Sequence, residues 1–118
     1  MPVRIIVCGA RDYSDHNHVR IVLEHVHDMR GIDAIIQTGG WGTEHWARYW
    51  ARSRHCQVIT CRNVLDMFAL QPDGVVAWPG KTKTAAVLAA ARQAGLPVYH
   101  APPPGILPDR YRILPAPR

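Results

Sequence analysis

Three glycines in four positions, set around a tryptophan, mark the stretch best suited to hold a ligand: Gln37-Thr38-Gly39-Gly40-Trp41-Gly42-Thr43-Glu44. Residues 32–36 before it read as a short buried strand, and residues 43–54 after it as a helix. Glycine loses more entropy on folding than any other residue, so clustering it needs a geometric reason. A strand that passes through a glycine turn into a helix start aims backbone N–H groups at one point. The helix dipole adds partial positive charge there, which makes an anion site. The expectation is that Gly39, Gly40 and Gly42 approach a phosphate, with the start of the Thr43 helix behind them. Trp41 could stack on a ring, and Asp12 or Glu44 could accept from ribose hydroxyls.

Two further glycine-containing loops offer similar chemistry. Cys8-Gly9-Ala10-Arg11-Asp12-Tyr13 supplies Gly9, Ala10, a guanidinium on Arg11 and a carboxylate on Asp12. Pro79-Gly80-Lys81-Thr82-Lys83-Thr84 supplies Pro79, Gly80, Lys81, Thr82 and Thr84. Lysine can hold a phosphate as a point charge and arginine as a planar fork. Gly80-Lys81-Thr82 is not a phosphate-wrapping P-loop, because that motif needs a glycine where Val75 stands, inside a strand.

The elements that must position these loops follow from periodicity. The β-branched run at 3–7 reads as a central strand buried on both faces. A helix capped by Ser14 or Asp15 runs to Met29 or Arg30, with Val19, Val22, Leu23, Val26 and Met29 on one face and Gly31 as its stop. On the helix after the central loop, Ala47, Trp50 and Ala51 face inward, while Arg48, Arg52 and Arg54 form an exposed basic face. Residues 57–60 are a third strand and 61–70 a short helix or turn, with Leu65 and Phe68 or Ala69 as its apolar side. Residues 74–78 are a fourth strand, 85–94 an alanine-rich helix stopped by Gly95, and 97–100 a fifth strand. Strands alternating with helices imply an α/β fold: a Rossmann-like three-layer sandwich on a mostly parallel five-stranded sheet. Such sheets bind ligands beyond the carboxyl ends of their strands, where all three glycine loops emerge. Residues 1–100 form the domain. Residues 101–118 hold six of the ten prolines and form an arm over the domain or a partner subunit, or a mobile tail.

Composition narrows the partners. The 118 residues suit one domain, and no apolar run approaches the roughly 20 residues of a membrane span. Fourteen Lys and Arg against nine Asp and Glu leave a formal net charge of +5, which favours phosphorylated small molecules or nucleic acid. Cys8, Cys56 and Cys61 read as free thiols in a reducing compartment, so the cytoplasm is the expected location. His25 and His27 point to different helix faces and no CxxC pair exists, so no metal and no cofactor is implied.

The order of motifs resembles the YspA-like, cpYpsA-related branch of the SLOG superfamily. Residues 8–13 look like its first loop, and Thr38 to Glu44 with Ala47 and Trp50-Ala51 like its second loop and helix. Arg62-Asn63 followed by Met67 is similar to its Arg-Asn segment, and Ala77-Trp78-Pro79-Gly80 with Thr84 to its Pro-Gly loop. Residues 94–98 resemble its closing segment. The resemblance implies a homodimeric domain binding a nucleotide-derived molecule such as an ADP-ribose- or NAD-derived ligand. Trp41 stands in place of a usual arginine, and Lys81 and Lys83 in place of glycines. Related phosphoribohydrolases carry a glutamate where this chain has Val87, which leaves only Asp12 and Glu44 as acids near the loops for cleaving an N-glycosidic bond. Binding without turnover is therefore expected, with no catalytic residue assigned. A LOG-like phosphoribohydrolase is the alternative, and a nucleic-acid module using the Arg- and Trp-rich second helix is another.

Overall fold

The computed structural model describes residues 2–102, so from residue 103 onward the expected C-terminal arm lies outside the described residues. The elements run β1 (Val3–Cys8), α1 (His16–Arg30), β2 (Ile32–Gln37), α2 (Thr43–Ser53), β3 (Gln57–Thr60), α3 (Val64–Ala69), β4 (Gly74–Ala77), α4 (Thr82–Ala94) and β5 (Val98–His100). The sheet order is β3-β2-β1-β4-β5, and all four pairings are parallel. The fold is α/β and Rossmann-like, as the alternation of patterns implies.

Right-handed crossovers explain the layering. The chain winds outward from β1 through β2 to β3, then returns to the other side of β1 for β4 and β5. Winding in opposite directions with one hand puts α1 and α2 on one face and α3 and α4 on the other. The β1 side chains alternate to match: Val3, Ile5 and Val7 join the α1/α2 core, while Ile6 and Cys8 join the α3/α4 core. Ile35 and Ile36 of β2 divide the same way, as do Val76 and Val75 of β4. Because both faces of β1 are buried, its sequence is apolar except at Arg4 rather than alternating. The strand order reverses between β1 and β4, so the loops after these two strands flank the crevice of the sheet.

Helix ends follow local chemistry. Asp15 caps α1 by accepting from the His18 amide at 3.1 Å, and Asn63 caps α3 by accepting from the Asp66 amide at 2.9 Å. Gly95 ends α4 in the left-handed region, with φ of 69°. Trp50 is buried with Ala47 and Ala51, as its spacing on α2 requires.

Three expectations are corrected. Leu65 is 80% exposed; Phe68 packs inward as expected, joined by Val64 and Met67 in place of Leu65. Residues 65/68/69 and 64/67/68 both fit one face of a short helix, and the structure takes the second set. Met29 also lies half in solvent, because the last turn of α1 runs past the core. Arg48, assigned to the solvated face, is tied to the central loop. Leu65→Ala should change stability by less than about 0.5 kcal/mol, whereas Met67→Ala should cost about 2–5 kcal/mol. Urea denaturation of the two variants checks the phase of α3.

Candidate ligand-binding site

The three glycine loops meet above the carboxyl ends of the strands and interlock there. The Ala10 carbonyl accepts from the Thr43 amide at 3.2 Å, and the Ala10 amide donates to the Pro79 carbonyl at 2.9 Å. The first loop is thereby bonded to both others through one residue. Gly42 has φ of 66°, and a Cβ there would fall onto the carbonyl groups of Ala10 and Arg11. A Cβ on Gly9 would meet Thr43 and Trp78, and one on Gly80 would meet Thr84. Glycine is needed at these positions for close approach between loops.

A buried ring joins the same loops to α1. Trp78 Nε1 donates to His18 Nδ1 at 3.1 Å, and the Tyr13 hydroxyl lies 2.9 Å from the same nitrogen. An indole N–H can only donate, so Nδ1 is an acceptor, the Tyr13 hydroxyl donates to it, and the ring proton sits on Nε2. Burial, with a smaller contribution from Asp15, pushes the Tyr13 phenol up to about 12, which keeps that donor in place.

The central loop is organised by a carboxylate. Glu44 lies on the first turn of α2, 1% exposed. Its Oε1 accepts from the Gly40 amide at 2.6 Å, and the Thr38 hydroxyl donates to the carboxylate, 3.0 and 3.1 Å from its two oxygens. Lys83 Nζ, reaching over from α4, lies 3.0 Å from Oε2 and donates to Thr38 Oγ1 at 2.6 Å. The Gly39 amide donates to Gln37 Oε1 at 3.1 Å. Arg48, one turn beyond Glu44, donates to Gln37 Oε1 at 2.8 Å and to the Gly40 carbonyl at 2.9 Å. The amides expected to receive a phosphate at Gly39 and Gly40 are therefore engaged by side chains of the protein. An anion in this structure meets side chains rather than a row of open glycine amides.

Beside this network lies a cavity of about 550 Å³ bounded by Arg11, Thr38, Gly39, Gly40, Trp41, Arg62, Asn63, Val64 and Lys83. Its size is that of a small-molecule site. Arg11 and Arg62 supply guanidinium groups, and Trp41, 63% exposed, supplies an indole face. Arg11, Gly39, Gly40 and Trp41 from the sequence-based set are gathered here. Gly9, Ala10, Gly42, Thr43 and Glu44 lie behind them and hold the loops together. Pro79, Gly80 and Thr84 line a separate cavity of about 270 Å³ bordered by Leu88 and His100. Asp12, Lys81 and Thr82 are exposed outside both of these cavities. Sequence reasoning assigned no site role to Arg62, Asn63 or Arg48, and left Lys83 undecided between site and surface. The Arg62-Asn63 pair at the end of β3 was a usable signal, because the strand's carboxyl end opens on the same side as the glycine loops.

With this geometry in hand, relationships can be weighed. A family model described as the YspA, cpYpsA-related SLOG family (YAcAr) matches residues 3–66, which is more than half of the chain. The chain belongs to that family. Membership suggests binding of nucleotide-derived ligands in general. The matched interval contains Arg11, the central loop and the Arg62-Asn63 pair, but not Lys83 or the Pro79–Gly80 loop. Comparison with curated proteins and with solved structures returned no match. Among the described residues, no group of His, Cys, Asp or Glu could hold a metal ion, and no helix is long and apolar enough to cross a membrane.

Two expectations test how the site is held. Gly42→Ala should cost about 3 kcal/mol or more, combining positive-φ strain with the clash against the first loop. Glu44→Gln should cost about 1–3 kcal/mol: a charge-assisted network is lost, yet Lys83 keeps access to water. Chemical denaturation measures both. Cys8, at the end of β1, gives a pH signature. Burial, reinforced by the nearby Glu44 charge, pushes its thiol up to about 12 from 9.0. A raised thiol pKa contributes stability that is intact below pH 9 and is lost as pH rises from there toward 12. Wild type should therefore lose stability between pH 9 and 10.5 faster than Cys8→Ala. Iodoacetamide should label Cys8 only after unfolding.

Proposed function

We propose that the cavity between the first loop, the central loop and the end of β3 binds a phosphorylated, ring-bearing small molecule of the ADP-ribose or NAD-derived kind, and holds it without cleaving it. The observation that carries this reading is the pairing of Arg11 and Arg62 with the exposed Trp41 around one opening. Guanidinium groups recognise phosphate oxygens through fixed pairs of N–H donors, and an indole face suits a base. Lys83 is already neutralised by Glu44, so Arg11 and Arg62 supply the uncompensated positive charge. Family membership supports the same class of ligand.

Turnover is the weaker reading. Glycosidic cleavage needs a carboxyl group free to exchange a proton or to face a developing positive charge. The Glu44 carboxylate is held by Gly40, Thr38 and Lys83. Val87 is fully buried in the α3/α4 core and supplies no carboxyl group. Pairing into a homodimer is part of the proposal on family likeness, and a cytoplasmic location on the free thiols of Cys8, Cys56 and Cys61.

A thermal-shift panel of ADP-ribose, NAD, cyclic nucleotides and mononucleotides tests the reading. A ligand at a hundredfold excess over its Kd should stabilise the fold by about 2.7 kcal/mol. Arg11→Ala, Arg62→Ala and Trp41→Ala should each diminish that shift without lowering the melting point of the free protein by more than a few degrees. Product analysis after incubation should recover the ligand intact. If no compound raises the melting point, or if all three variants respond like wild type, the cavity is not the site.

A further inference from the structure

A second surface lies on the opposite flank of α2. Trp46, Tyr49, Trp50 and Ser53 form one face of that helix, and with His16 and Arg20 of α1 they line an open groove of about 320 Å³. Its rings are in mutual contact. Trp46 and Tyr49 lie nearly parallel, with centroids 6.5 Å apart and planes at 26°, and His16 lies 4.9 Å from Trp46. Tyr49 is 63% exposed, although Trp50 beside it is buried in the core. The rings continue toward the cavity, since His45 lies 4.8 Å from Trp46 and 5.3 Å from Trp41.

The charge around these rings is positive. Arg20 is exposed along the groove and Arg52 is exposed one turn beyond Tyr49. The nearby acid, Glu24, is occupied: its Oε2 accepts from Trp50 Nε1 at 2.9 Å and lies 3.4 Å from Arg54. Exposed aromatic faces bordered by arginines match a flexible polyanion that carries flat rings. A double helix stacks its bases on each other and offers no such faces, whereas a single strand does. Rings bordered by arginine also suit a protein interface, but on a chain of net charge +5 they favour a polyanion.

We infer that the groove between α1 and α2 binds single-stranded nucleic acid, with bases stacked on Trp46 and Tyr49 and phosphates near Arg20 and Arg52. This surface is distinct from the small-molecule cavity and does not depend on it.

Fluorescence anisotropy of the full chain with labelled twelve-nucleotide oligo-dT and oligo-U, and with a duplex of equal length, tests the inference. Both single strands should bind more tightly than the duplex, with affinity falling between 50 and 200 mM salt by counterion release. The tighter of the two single strands identifies DNA or RNA as the partner. Tyr49→Ala, which removes an exposed ring, should weaken binding roughly 5- to 100-fold with the fold intact by circular dichroism. Trp46→Ala should act in the same direction if it folds, and Arg20→Gln with Arg52→Gln should flatten the salt dependence. Tyr49→Ala should leave any thermal shift by ADP-ribose unchanged, so this test and that of the cavity fail separately. Absence of single-strand binding at 50 mM salt, equal affinity for the duplex, or equal affinity of Tyr49→Ala would overturn the inference. So would a wild-type dimer that Tyr49→Ala dissociates while oligonucleotide binding persists, because the groove would then join two copies of the chain.

Discussion

The buried carboxylate of Glu44 is the interaction on which the loop end of this protein depends. It sits where a helix dipole already favours negative charge, at the first turn of α2, and takes up a backbone amide, a hydroxyl and an ammonium group. Each partner belongs to a different part of the site: Gly40 to the turn, Thr38 to the end of β2, Lys83 to the distant helix α4. One charge thus fixes the path of the glycine loop and the position of α4 relative to it. Burial of a charge is tolerated only with such partners, so the network is held as a unit. Arg48 repeats the logic from outside, closing the loop through Gln37 and the Gly40 carbonyl.

This internal charge alters what a glycine loop means. In a bare strand–turn–helix, the amides and the dipole await an anion from solution. Here the protein supplies its own carboxylate, and under the proposed function external recognition passes to the arginines and the indole at the rim. The family relationship is compatible with that shift, because membership identifies a broad ligand class and leaves the contacting groups to each sequence. Trp41, where the resemblance implies an arginine, is the feature that makes this version of the site particular.

The sheet and its helices were legible in the sequence because their cause is burial periodicity, which a single chain displays. The run at β1, the alternation of strand and helix, and the glycine stops at residues 31 and 95 all translated directly. The face of α3 did not, because six residues hold under two turns and the overlapping triplets 65/68/69 and 64/67/68 are both apolar. The site was half legible. Glycines announce tight turns, so the three loops were found, but the sequence does not say which donor an amide meets. Glu44 is an acid near a loop in either case; only its burial among Gly40, Thr38 and Lys83 shows that it builds the loop rather than facing its ligand. Arg48 was misread for a related reason: on a helix start, the face away from the core can still lie against a neighbouring turn.

The bond of one residue, Ala10, to both neighbouring loops has a consequence for how ligands are met. The Ala10 carbonyl and amide are committed to Thr43 and Pro79, and the glycines at 9, 42 and 80 leave no slack between the backbones. None of the three loops can swing outward alone without breaking hydrogen bonds made by another. The first and central loops consequently hold their places before anything enters the pocket between them, and association need not spend free energy ordering either one. In such a preassembled site, selectivity is decided by the shape and charge of rim side chains, and a change of ligand is reached by replacing those side chains while the backbone beneath stays as it is.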